Sequence, residues 1–146
     1  MKQLFIYFFI LYLIQPLSAK KVDEKVAIKV VNKVLKDENK EFKKIDELIP
    51  LGLENDTAIY VAKLKDGGFI IISADDAAPP YLGGCTLVEY KPGIMPPGLL
   101  FLIEKYNFSI KMIREDKVEA TDHIKSKWKY YLSDDETDMK SASTVT

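Results

Sequence analysis

From Thr57 to Ser73 the chain runs TAIYVAKL, then KDGG, then FIIIS, and little but a β-hairpin can be made of it. Thr57 to Leu64 is rich in the residues that suit a pleated, half-buried surface. Lys65-Asp66-Gly67-Gly68 supplies the turn, because glycine reaches positive φ without a Cβ clash. Phe69 to Ile72 is apolar at every position. A return strand apolar on both faces belongs in the centre of its sheet.

The flanking segments supply the rest of a fold. Upstream, Val26, Ala27, Val30, Val31, Val34 and Leu35 fall on one face of a helix, with Lys25, Lys29, Lys33 and Lys36 on the other. Asp23 is its N-cap, since a carboxylate can accept from the free amides of the first turn. Asp37 to Lys44 is polar enough to be a connection. A short strand is expected at Ile45 to Leu51, confined by Pro50 to an edge or a strand end. Downstream, Asp75 to Pro80 reads as a loop, Tyr81-Leu82-Gly83-Gly84 as the lead into a strand at Cys85 to Tyr90, and Lys91-Pro92-Gly93 as a turn.

Pro96-Pro97 can open a helix, because proline's fixed φ and missing amide cost little in the first turn. Leu99, Ile103, Tyr106, Ile110 and Ile113 then make one continuous apolar stripe. A shorter helix over Asp122 to Leu132 places Ile124, Trp128, Tyr131 and Leu132 on a shared face. There is no internal repeat. The expected fold class is α+β: an antiparallel sheet of three or four strands packed against an N-terminal helix and a long C-terminal helix.

Both ends differ from this middle. Met1-Lys2 is followed by the unbroken apolar run Leu4 to Ile14, a break at Gln15-Pro16, and Ala19 as a small residue before Lys20-Lys21. That is the layout of a secretory signal peptide with an apolar run too short to span a bilayer comfortably. The competing reading is an uncleaved membrane anchor. No Cys stands at the boundary to carry a lipid. The expected division is a signal peptide at 1–19, one domain at 20–132 and a polar tail at 133–146. The mature protein would be secreted or periplasmic, with no membrane association after cleavage.

Composition narrows the chemistry. The chain is 47% hydrophobic and 29% charged, too apolar for a disordered protein. With 21 basic and 22 acidic side chains it has no electrostatic footprint for nucleic acid. One Cys and one His exclude an internal disulfide framework and a Cys/His zinc site. Cys85 and His123 are the only candidates for a nucleophile–base pair, which needs hydrogen-bond reach and an orienting third group. Cys85 begins an apolar strand and reads as a small buried thiol; His123 reads as solvated. Asp75-Asp76 fits a turn better than an acid/base pair or a cation site, and Asp134-Asp135-Glu136 fits a solvated tail. Asn55-Asp56-Thr57 and Asn107-Phe108-Ser109 match the glycosylation tripeptide, a frequent chance match. With no phosphate loop, dinucleotide fingerprint or metal-ligand spacing, no cofactor, no metal and no catalytic residue is expected.

The segment Gly67-Gly68-Phe69-Ile70-Ile71-Ile72-Ser73-Ala74-Asp75-Asp76-Ala77-Ala78-Pro79-Pro80-Tyr81-Leu82-Gly83 resembles a known pattern. It is similar to the pro-domain of the streptopain family of papain-like cysteine proteases, and to the stand-alone inhibitors related to it. There a hairpin leads into a strand of this type, an acidic loop, a proline and Ile-Leu-Gly. An Ile-Pro-like start to a long helix follows, matched here by Ile94-Met95-Pro96-Pro97. The opening helix, with Ala27 and Val31 on its buried side, also fits. The resemblance covers roughly Val22 to Ile113.

What the resemblance implies is a folded segment that covers a protease cleft and keeps the catalytic pair from productive geometry. The expectation is a chain without the protease domain that normally follows, and Cys85 does not correspond to that domain's nucleophile. This chain departs from the pattern at Ala77-Ala78, where a basic residue is common, and at Gly93, where a polar residue such as Asn is common. The expected function is a secreted inhibitor of a streptopain-like cysteine protease. The alternatives are the amino-terminal remnant of a truncated protease precursor and an exported structural or adhesion module. The expected contact residues are Asp75, Asp76, Tyr81, Tyr90, Gly93, Ile94 and Met95. Ile94 and Met95 fit neither flanking period, so they are either exposed on a loop stiffened by Pro92, Pro96 and Pro97, or Ile94 tucks under the helix as a staple.

Overall fold

The computed structural model describes residues 20–133. The signal-peptide segment 1–19 and the acidic tail residues Asp134-Asp135-Glu136 lie outside the described residues. The chain order is α1 (Glu24–Asp37), β1 (Ile45–Leu53), β2 (Asp56–Leu64), β3 (Phe69–Ser73), β4 (Tyr81–Cys85), α2 (Pro97–Glu115) and α3 (Asp122–Leu132). The strands form one antiparallel meander in the order β1-β2-β3-β4, which makes the class α+β.

Strand alternation divides the core in two. Tyr60 pairs with Ile72 and Ala62 with Ile70, while Val61 pairs with Ile71. Successive side chains point to opposite faces. On one face Tyr60, Ala62, Leu64, Ile70 and Ile72 pack with Ala27, Val30, Val31, Val34 and Leu35 of α1 and Trp128 of α3. On the other, Ile59, Val61, Phe69 and Ile71 pack with Ile103 and Ile110 of α2. The sheet is thus sandwiched between helices, which is why β2 and β3 are apolar on both faces. Asp23 caps α1 through a hydrogen bond from the Val26 amide at 2.9 Å. Pro97 opens α2 from an extended Pro96. Pro50 lies on β1, an edge strand. Among the described residues no helix is long and apolar enough to cross a membrane.

Three expectations are corrected. The fourth strand is Tyr81–Cys85 rather than Cys85 to Tyr90. Its glycines are strand residues rather than a lead into one: a Cβ on Gly84 would lie 2.6 Å from the Phe69 carbonyl oxygen, so only glycine lets β4 press against β3. The register slips between Ile71 and Ile72, leaving Leu82 as the extra residue of a bulge. Lys33 is buried rather than on an open polar face, because α3 lies over it. Its ammonium sits 4.8 Å from the Tyr130 ring centre and 3.9 Å from Asp37. Leu132, at the last position of α3, is exposed.

Candidate functional site

Two regions bear on function: the loop after β3, which is built inward, and the connection after β4, which is built outward.

The loop begins at Asp75, whose side chain is 1% exposed. Its Oδ2 accepts from Arg114 Nε at 2.8 Å and its Oδ1 from the Ala77 amide at 3.0 Å. Ser73 Oγ accepts from the Asp75 amide and donates to its carbonyl. Arg114 continues across the gap: Nη1 donates to Asp56 Oδ2 and the Thr57 carbonyl, and Nη2 to the Ala74 carbonyl, all within 2.9 Å. One planar guanidinium therefore ties α2 to β2 and to the loop. A hydrogen bond from Lys21 Nζ, opposed by partial burial and aided by Arg114, holds the Asp56 carboxyl below its ordinary range. The Trp128 indole donates to the Ala78 carbonyl at 2.9 Å, fixing α3 to the same loop.

The connection 86–96 is of the opposite character. Tyr90 is buried, its ring 5.8 Å from Phe69 at a tilt, and burial raises its phenol pKa. Met95 is half-buried against the α2 face of the sheet. Between and before these anchors, Leu87 is 91% exposed and Ile94 is 79% exposed, with Val88 also in solvent. Phe101, on the second turn of α2, is exposed as well. Large apolar side chains shown to water along one stretch of chain make this connection a candidate interaction surface. Gly93 has φ +82°, a conformation that glycine adopts freely and asparagine tolerates among side-chain-bearing residues. That explains physically how Gly can stand where the resembling sequences often carry Asn.

The expected contact residues are therefore not brought together. Gly93 and Ile94 are exposed, which rejects the staple for Ile94. Met95 and Tyr90 face inward and support them from below. Tyr81 lies on the other side of the sheet, packed with the α1 core and 6.5 Å from the Tyr131 ring. Asp76 is half-buried and accepts from the Lys20 amide at 2.7 Å. Asp75 and Tyr90 are both buried, not on the surface, and the Asp75 carboxylate is committed to Arg114 and Ala77.

Sequence reasoning missed Leu87 and Val88, because they were assigned to a strand, and Phe101, because it lies off the buried stripe of its helix. It also missed Arg114. A signal for Arg114 was present: it is the only arginine among 21 basic residues, in a chain that otherwise uses lysine throughout.

No catalytic pair is assembled among the described residues. Cys85 packs on the α2 face of the sheet, whereas His123 is exposed on α3, which covers the opposite face. No group of three or more His, Cys, Asp or Glu side chains able to hold a metal occurs among the described residues. Asn107 is buried within α2, so its tripeptide is not an acceptor for a glycan in the folded protein. Asn55 is exposed, in the tight β1–β2 turn.

The described residues thus form a cross-braced α+β domain with an apolar connection exposed between β4 and α2. The family described as Spi protease inhibitor matches residues 19–110, more than half of the chain, and the chain belongs to that family. It is a protease inhibitor, not an enzyme, and its partner is a protease. No curated protein and no solved structure matches it. The matched region runs from α1 into α2 and ends before Arg114 and α3, so the side chains that brace the loop from the C-terminal side lie beyond it.

Proposed function

We propose that this chain is exported, loses residues 1–19, and inhibits a cysteine protease of the streptopain type by covering its active-site cleft. The export reading rests on the layout of the first nineteen residues, and the target class on the resemblance of Gly67 to Gly83. The observation that carries the mode of action is the connection between β4 and α2. Leu87 and Ile94 point into solvent while Tyr90 and Met95 anchor the same segment. Pro92, Pro96 and Pro97 fix φ near −65° along it, so it loses little conformational entropy on docking. Inhibition requires a preorganised surface that fills the cleft without presenting an aligned scissile bond. Exposed aliphatic anchors on a stiff support meet that requirement.

The test is titration of a streptopain-type protease with the wild-type protein and with Ile94→Asp. The wild type inhibits in a saturable, stoichiometric manner. The variant weakens inhibition by about tenfold or more, equal to about 1.4 kcal/mol, at an unchanged melting temperature. Unchanged inhibition by the variant removes the connection from the contact. A wild-type protein that inhibits another protease class but not this one refutes the streptopain assignment.

A further inference from the structure

The first described residues lie extended against the loop after β3 as a short bridging strand outside the sheet. Lys21 pairs antiparallel with Asp75, and the Val22 amide donates to the Ala74 carbonyl at 3.0 Å. The Lys20 carbonyl accepts from the Asp76 amide at 3.2 Å. The Lys20 nitrogen itself lies 2.7 Å from Asp76 Oδ1. Side chains hold the same strand from below, with Lys21 Nζ 2.6 Å from Asp56 Oδ1. The Lys20 nitrogen is therefore held within hydrogen-bond distance of a carboxylate by the ties on its own carbonyl and on the two residues that follow.

We propose that cleavage of the Ala19–Lys20 peptide bond completes this fold, with Asp76 as the acceptor for the new α-ammonium group of Lys20. The inference rests on the export reading and processing point given above and adds to them the side chain that receives the new terminus. In the step, a signal-cleaving peptidase adds water across the Ala19 carbonyl carbon and the Lys20 nitrogen. The C–N bond breaks, and the hydroxyl oxygen stays on Ala19 as its carboxylate. The nitrogen leaves as an amine and takes up a proton. A neutral amide donor becomes a charged one already seated on its carboxylate, so a hydrogen bond with one ionised partner becomes an ion pair with two.

The neighbouring charges do not compete for this place. Asp75 is committed to Arg114, Lys21 to Asp56, and Asp23 to the Val26 amide at the start of α1. The precursor thus has the strand without the ion pair, and the processed protein has both. The loop that receives the pair is the one braced by Arg114 and Trp128, so processing at Lys20 adds a third brace from the opposite end of the chain.

The experiment expresses the full chain in a host that exports it and determines the amino terminus of the exported protein by intact mass. Its α-amine is then labelled by reductive methylation with carbon-13 formaldehyde and titrated by NMR, folded and in urea, for wild type and Asp76→Asn. The expected result is a terminus at Lys20 whose ammonium in the folded wild type titrates above the ordinary range of about 7.7–8.0 for chain termini. That elevation disappears in urea and in Asp76→Asn. The urea comparison needs no substitution, so the measurement holds even if the variant is unstable. A terminus at Lys20 with an ordinary, Asp76-independent titration overturns this inference and leaves export standing. A terminus at Met1, or at any residue other than Lys20, overturns the inference together with the processing point it assumes.

Discussion

Replacing Arg114 with methionine removes one guanidinium and four hydrogen bonds in a single change. The side chain is only 15% exposed and its main partner, Asp75, is 1% exposed. Asp56, its second carboxylate partner, is 42% exposed and keeps Lys21, so its loss of Arg114 is largely compensated by water and by that lysine. Asp75 has no such relief. It keeps the Ala77 amide, but its charge stays buried without a counter-charge, a situation that costs about 3–5 kcal/mol. Against a total stability of about 5–15 kcal/mol for a domain, that is enough to bring the protein close to its unfolding threshold. Asp75→Asn is milder, because an amide oxygen can still accept from Ala77 and Arg114 retains Asp56; the loss of a hydrogen bond to a charged group suggests about 1.5–3 kcal/mol. The double variant Arg114→Met, Asp75→Asn buries no unpaired charge, and it should be more stable than the sum of the two single losses by about 1–3 kcal/mol. Urea denaturation of all four proteins with a shared slope measures this directly. Additivity of the two changes, or a loss below about 1 kcal/mol for Arg114→Met, would show that the pair is not the brace described. Inhibition measured well below the melting temperature should be the same for Asp75→Asn and wild type, because Asp75 is inside.

Acid should weaken the fold through Asp56. Its carboxyl is held below the ordinary value of 3.8, first by the Lys21 hydrogen bond, so its contribution is complete above that value and is lost as pH falls through the lower folded value. In Asp56→Asn the stability profile should be flatter over this acid range, and an unchanged slope would remove Asp56 from the linkage. Gly84→Ala should destabilise by about 1–3 kcal/mol, because its Cβ would meet the Phe69 carbonyl oxygen and the Ile70 Cα, at 2.6 and 3.2 Å. A melting temperature equal to wild type would show that β4 can withdraw from β3 at no cost.

Local sequence made the helices and the central hairpin legible. The α2 start follows from Pro96-Pro97, and the period of Leu99, Ile103, Tyr106, Ile110 and Ile113 gives the face it buries. The fourth strand was misplaced because glycine carries two meanings. At Gly67 it makes a turn, and at Gly84 it permits close approach of two backbones, which is a property of the neighbouring strand and not of the local sequence. The surface was harder still. Ile94 could be proposed as exposed because it fits no period, but Tyr81 and Tyr90 look alike in sequence and are separated by the sheet. Asp75 and Asp76 are adjacent, yet one is sealed inside by an arginine 39 residues away and the other receives the Lys20 nitrogen. No pattern within a window of twenty residues contains those partners.

The order of the strands also bears on how the molecule assembles. Each strand pairs only with the next in sequence, so the meander forms from short loop closures, which are quick. The ties on the loop after β3 are of another kind: Arg114 to Ala74 spans 40 residues, Trp128 to Ala78 spans 50, and Lys20 to Asp76 spans 56. A chain growing from its amino terminus can pair all four strands, and lay residues 20–22 against the loop, once Cys85 has emerged, yet the loop's C-terminal ties wait until Arg114 and then Trp128 arrive. Sheet formation and fastening are therefore separate events in time. A ribosome stalled between Cys85 and Trp128 should carry a nascent chain whose hairpins are protected from hydrogen exchange while the amides of Ala77 and Ala78 are not.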